Sequence, residues 1–79
     1  MTTLTTALDA EFTPAAGDFI AQVAGGGAYL MRKQTSGAAF VRVGLLRGDG
    51  VIVSNPVAGA IYKFVAADVG ITPTVQADQ

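Results

Sequence analysis

Asp18-Phe19-Ile20-Ala21-Gln22-Val23-Ala24, Gly25-Gly26-Gly27, Ala28-Tyr29-Leu30-Met31-Arg32-Lys33-Gln34: this stretch decides the fold class. Phe19, Ala21 and Val23 fall two residues apart, which puts them on one face of a strand. The three glycines end that strand, because they make φ > 0 cheap and offer no side chain to pack. A second strand, Ala28–Gln34, follows at once, and its charged end, Arg32-Lys33, has to reach solvent or a neighbour. There is no room in such a stretch for a helical stripe with a 3.6-residue period.

The same punctuation extends in both directions. Thr2–Leu8 is rich in Thr and reads as a first or edge strand, and Glu11–Gly17 holds Pro14 and reads as a connection. Thr35-Ser36-Gly37 is a turn. Ala39–Leu46 is a strand carrying Phe40, Val41 and Val43, with the aromatics read as inward-facing core residues. Arg47-Gly48-Asp49-Gly50 turns the chain again, and Asp-Gly is a favoured hairpin signal. Val51–Ser54 is a short strand stopped by Asn55-Pro56. Ala60–Ala66 places Tyr62 and Phe64 on one face and Lys63 on the other. Pro73 lies within Ile71–Gln76, which predicts an edge strand or a bulge there.

About seven short strands with frequent turns predict an all-β fold, a compact antiparallel β-sandwich of immunoglobulin-like type. A small β-barrel is the competing architecture. The chain has no Cys and no Trp, so the antibody-domain hallmarks are missing, but Tyr62 is placed to make a tyrosine-corner hydrogen bond or simply to fill the core. The length allows one domain, residues 1–79, with 1–11 as an extended N-terminal strand or arm.

Composition adds a functional constraint. Of 79 residues, 51% are hydrophobic and 14% are charged, against about 25% charged in an average domain. A chain this short has too little interior to hide so much apolar side chain, and burial barely offsets the entropy of ordering it. Without Cys or His it has neither a disulfide nor an ordinary zinc site to help. A partner subunit is the remaining source of stability. Ends rich in Thr, Ala and Gln are expected to be pinned by such neighbours.

Chemistry is thinly represented. Ser36 and Ser54 with Lys33 and Lys63 have no spacing that suggests a nucleophile–base pair, and the acids lie mostly near the termini or in turns. Gly25-Gly26-Gly27 lacks both the dinucleotide fingerprint and the phosphate-loop Gly-Lys-Ser/Thr. Asp18, Asp49 and Asp68 are too dispersed for a calcium loop. No catalytic, cofactor or metal residue is therefore expected, and the chain reads as a non-enzyme. Arg47-Gly48-Asp49 spells an integrin-type tripeptide, but Gly and Asp are what a turn there requires. Arg32, Lys33, Arg42 and Lys63 lie near Tyr29, Phe40, Tyr62 and Phe64 in sequence, and with those aromatics assigned to the core no nucleic acid is expected.

The net charge is −1, unevenly distributed. Residues 1–31 carry Asp9, Glu11 and Asp18 and no base. Residues 32–63 carry five bases against Asp49, and residues 64–79 add Asp68 and Asp78. Besides ordinary surface scatter, this suggests acidic termini meeting the basic middle of a neighbouring copy. Met1-Thr2-Thr3-Leu4 is not a signal sequence, and the longest uncharged stretches, Phe19–Met31 and Gly50–Tyr62, are too short and glycine-rich to span a bilayer, so no membrane is expected.

Phe12-Thr13-Pro14-Ala15-Ala16-Gly17-Asp18-Phe19, Val23-Ala24-Gly25, Leu30-Met31-Arg32 and Val57-Ala58-Gly59-Ala60-Ile61-Tyr62-Lys63-Phe64 together resemble the small β-sandwich virion proteins of tailed bacteriophages. The resemblance covers residues 12–76, with Phe40 where that pattern often carries Trp. It implies a head-decoration, collar or tail-associated subunit, located in the virion after assembly in the host cytoplasm. Other copies of itself and capsid, collar or tail proteins would be its partners, and no cofactor is implied. Docking would use apolar interfaces and edge strands, with Thr2–Leu8 and Ile71–Gln76 as candidates. The alternative is a host-surface or carbohydrate-binding module of a tail fibre, for which the chain is poorly supplied with exposed-type aromatics.

Overall fold

The computed structural model describes all residues, Met1–Gln79. It contains seven strands and no helix: β1 (Thr3–Thr5), β2 (Phe19–Ala24), β3 (Gly27–Lys33), β4 (Val41–Arg47), β5 (Gly50–Val53), β6 (Ile61–Ala66) and β7 (Thr74–Asp78). They form two antiparallel sheets, β1-β7-β2-β5 and β4-β3-β6, so the architecture is the expected β-sandwich. No strand is shared between the sheets, which excludes a closed barrel. The strand order departs from the immunoglobulin one, in which the first and second strands are neighbours; here β7 lies between β1 and β2.

The reason for that order is a single long ribbon folded over itself. β2 pairs with β5 from Phe19↔Val53 to Gln22↔Gly50, and β3 pairs with β4 from Gly27↔Arg47 to Arg32↔Val41. The two arms thus run side by side from Phe19–Lys33 and from Val41–Val53, and both pass from one sheet to the other at the same level. Bent strands of this kind make the corners of sandwiches. At the bend, Val23–Gly26 on one arm lie against Gly48 and Asp49 on the other, with the Val23 amide donating to the Asp49 carbonyl at 3.0 Å. Gly25, Gly26 and Gly48 have φ of 76°, 150° and 71°, values that strain other residues. The Asp-Gly signal at residues 49–50 therefore marks a bend between sheets and not a hairpin closure. The ribbon's one hairpin loop is at Thr35–Ala38, where the Ala38 amide donates to the Thr35 carbonyl at 3.1 Å.

The core lies between the sheets. Phe19, Ala21 and Val23 are buried together as their alternation requires, and face Ala28, Leu30, Tyr62 and Phe64 from the other layer. Phe12 joins them, with ring centroids 5.8 Å from those of Phe19, Tyr62 and Phe64. Tyr62 is buried and its hydroxyl donates to Asn55 Oδ1 at 3.1 Å, a side-chain partner in place of the backbone one of a tyrosine corner. Asn55, fully buried, donates through Nδ2 to the Ala15 carbonyl at 2.8 Å, and its own carbonyl accepts from the Gly17 amide at 2.7 Å. No buried side-chain polar atom is left without a partner.

Three expectations are corrected. Ile71–Gln76 is not an edge: β7 starts after Pro73 and sits inside its sheet, so the missing proline amide costs no ladder bond. The termini need no neighbour to pin them, since Thr2 and Gln79 exchange backbone hydrogen bonds at 2.7 and 2.8 Å. Phe40 and Tyr29 are not core residues. Both lie half-buried on the outer face of β4-β3-β6: Tyr29 because it alternates with the buried Ala28 and Leu30, and Phe40 because the register shift between Leu30↔Gly44 and Met31↔Arg42 inserts Val43 as a bulge and reverses the facing of the β4 residues before it. Residues 1–11 follow the body of the sandwich: β1 pairs with β7, and Asp9 and the adjoining Phe12 bond to β6.

Candidate docking site at the open edge

The two long sides of the sandwich differ in how they are sealed. On one side β6 would be a free edge, but residues 9–12 run along it. The Asp9 amide donates to the Phe64 carbonyl at 2.8 Å, and Phe12 and Tyr62 exchange hydrogen bonds at 2.8 and 2.9 Å. This segment starts from β1 in the other sheet, so it bridges the layers and lowers Phe12 and Pro14 into the gap.

On the opposite side, β4 is the edge of one sheet and β5 the edge of the other, and no segment bridges them. Each pairs on one flank only, so both present a free row of backbone donors and acceptors. Between them opens an apolar groove of about 370 Å³, whose wall includes Leu30, Val43, Leu46, Val51 and Val53. Val41, Val43 and Val51 are 60%, 50% and 44% exposed although a sealed sandwich would bury side chains so placed. Gly44 lines the groove, and a Cβ built on it would meet nothing within 4 Å. β5 carries no charged residue, so it lacks the usual guard against pairing with another chain.

Three of the bases singled out from sequence, Lys33, Arg42 and Lys63, come together on the outer face of β4-β3-β6 beside Tyr29 and Phe40. Arg47 reaches Asp68 with Nη1 and Nη2 at 2.9 and 3.5 Å, and the hydrogen bonds and charge of Asp68 raise its pKa from the ordinary arginine value. Asp49 Oδ1 accepts from the Arg47 amide at 2.9 Å, so both charged ends of the Arg-Gly-Asp tripeptide are engaged within the chain. Lys33 lies 3.7 Å from Glu11 and donates to the Ser36 carbonyl at 3.3 Å, not to the Ser36 hydroxyl. Ser54 lies at the groove wall. Asp18, Asp49 and Asp68 do not converge, and no group of three His, Cys, Asp or Glu side chains is assembled anywhere. Two of the five bases are thus paired with acids of the same chain.

Sequence reading missed the β4–β5 edge. Val41, Val43 and Val51-Ile52-Val53 look like core strand residues, and nothing local indicates that the layer opposite them is absent. No family model, no curated protein and no solved structure matches this chain.

Proposed function

We propose that this protein is a non-enzymatic structural subunit that docks through its open β4–β5 edge onto a strand of a neighbouring protein. The observation that carries this is the pair of free strand edges flanking an unsealed apolar groove. An incoming extended segment would satisfy backbone groups on β4 or β5 and cover Val41, Val43 and Val51, which is strand addition. The resemblance of residues 12–76 supplies the setting: a tailed-phage particle, in which the chain decorates or cements capsid or tail proteins beside other copies of itself. The excess of apolar residues in so short a chain supports the same reading.

The test pairs a particle measurement with a variant. Mass spectrometry of purified particles from a host carrying the gene should find the protein at high copy number. The double variant Val43→Lys/Val51→Lys should fold but be lost from those particles. Absence of the native protein from particles removes the phage setting, and undiminished incorporation of the variant removes the edge.

A further inference from the structure

The outer faces of the two sheets carry opposite charge patterns. On β4-β3-β6, Met31 lies in register between Arg42 and Lys63. Neither cation has a carboxylate within 4.0 Å, since the chain's two ion pairs are Lys33–Glu11 and Arg47–Asp68. Each is instead held over an aromatic ring: the Arg42 guanidinium 4.0 Å from the Tyr29 centroid, and the Lys63 ammonium 4.4 Å from that of Phe40. Lys33 approaches the same Phe40 ring at 4.6 Å. These contacts fix the cations against the sheet, so they lose little freedom when a partner arrives.

On β1-β7-β2-β5 the pattern is inverted. Ile20 lies in register between Ile52 and Asp78, and Asp18 precedes it by two residues on the same face. Asp18 and Asp78 line one shallow depression with Ile20 and Ile52, and neither has a cation within 4.0 Å. Ile52 is 69% exposed. One face is thus an apolar spot flanked by two cations, and the other an apolar spot flanked by two carboxylates.

We infer that copies of this chain stack face to back, the Asp18/Asp78 face of one against the Arg42/Lys63 face of the next. The inference rests on the assembly reading but uses the outer faces of the two sheets, which reach the β4–β5 edge only at Arg42 and Ile52. Like-with-like stacking would oppose carboxylates to carboxylates or cations to cations, which is repulsive. The molecule measures 33 × 28 × 17 Å, the short dimension being that of two stacked sheets. A broad face of that size is of the order of the roughly 800 Å² per partner of a standard interface. Such a heterologous contact repeats, closing into a ring or continuing as a rod.

Sedimentation velocity on the full chain tests this with two surface charge reversals, Arg42→Glu/Lys63→Glu and Asp18→Lys/Asp78→Lys, each checked for native circular dichroism. The native protein should associate at about 0.05 M salt and come apart at about 0.5 M. Each variant alone should associate about tenfold or more weakly. An equimolar mixture of the two should regain association, because each keeps one native face and the reversed faces complement each other. Association of either variant at native strength overturns the inference, as does a mixture that stays dissociated. So does a native chain whose Arg42/Lys63 face binds single-stranded DNA but not a second copy. The edge reading fails separately, through the Val43→Lys/Val51→Lys variant, whose stacking should be unchanged.

Discussion

The side of the sandwich closed by residues 9–12 and the side left open between β4 and β5 are built from the same kind of alternating apolar strand. Phe12 on the first is 6% exposed, and Val41 on the second is 60% exposed. The difference is one bridging segment, present along β6 and absent beside β4 and β5. A seal contributes twice: it satisfies the backbone of an edge strand and it removes apolar area from water at about 25 cal/mol per Å². The chain thus covers β6 by itself, with β1 left as the sheet edge expected from Thr2–Leu8, and leaves the β4–β5 side to be completed by contact.

The largest expected effect breaks the closed side. Phe12→Ala should cost about 3–5 kcal/mol, comparable to the whole stability of a small domain, whereas Val41→Ala should stay within about 0.5 kcal/mol. Urea titration followed by circular dichroism measures both, and equal losses would erase the distinction between the sides. Asn55 comes next, because it ties the chain leaving β5 to residues 15–17 near the closed side. Asn55→Ala removes one hydrogen bond from the buried Tyr62 hydroxyl, which keeps Arg32 Nε at 3.2 Å, and one from the Ala15 carbonyl, which keeps Gln79 Nε2 at 2.8 Å; the two losses should cost about 1–3 kcal/mol by the same titration. Gly26→Ala attacks the bend that brings β4 and β5 into their positions. Its Cβ would meet Ile71 Cγ2 at 2.7 Å on a backbone with φ of 150°, and a loss of about 1–3 kcal/mol is expected.

Gly44→Val should act in the opposite direction. The site has space for a side chain, and replacing glycine in a strand should stabilise the free chain by about 0.5–1 kcal/mol while partly filling the groove and weakening docking. A thermal melt and an incorporation assay, read together, would show whether the two effects separate. The smallest effect belongs to Asp68→Asn. The Arg47–Asp68 pair is exposed and screened, so the melting temperature should not change measurably at any salt concentration.

The fold was largely legible where one face meets one core. The alternation of Phe19, Ala21 and Val23, and that of Tyr62, Lys63 and Phe64, placed each side chain as the structure has it. Phe40 was misplaced because the bulge at Val43 reverses the facing of the preceding residues, and a bulge has no signature in Ala39–Leu46. Pro73 misled because a proline just before a strand and one within it look alike in sequence. Asp49-Gly50 was a true turn signal whose partner, Gly25-Gly26, lies across the ribbon, so only the pairing identifies a two-armed bend. Composition indicated that some surface needs covering. Which surface depended on where residues 9–12 go, and that is a tertiary fact.

Backbone amide hydrogen exchange, comparing the free chain with the chain in its assembled particle, reads out which strand edges are covered by contact. Amides within Val41–Val53 should exchange readily in the free chain and become protected on assembly, while those of β6, already covered by residues 9–12, should change little. Unchanged exchange across Val41–Val53 in the assembled state would contradict docking through this edge.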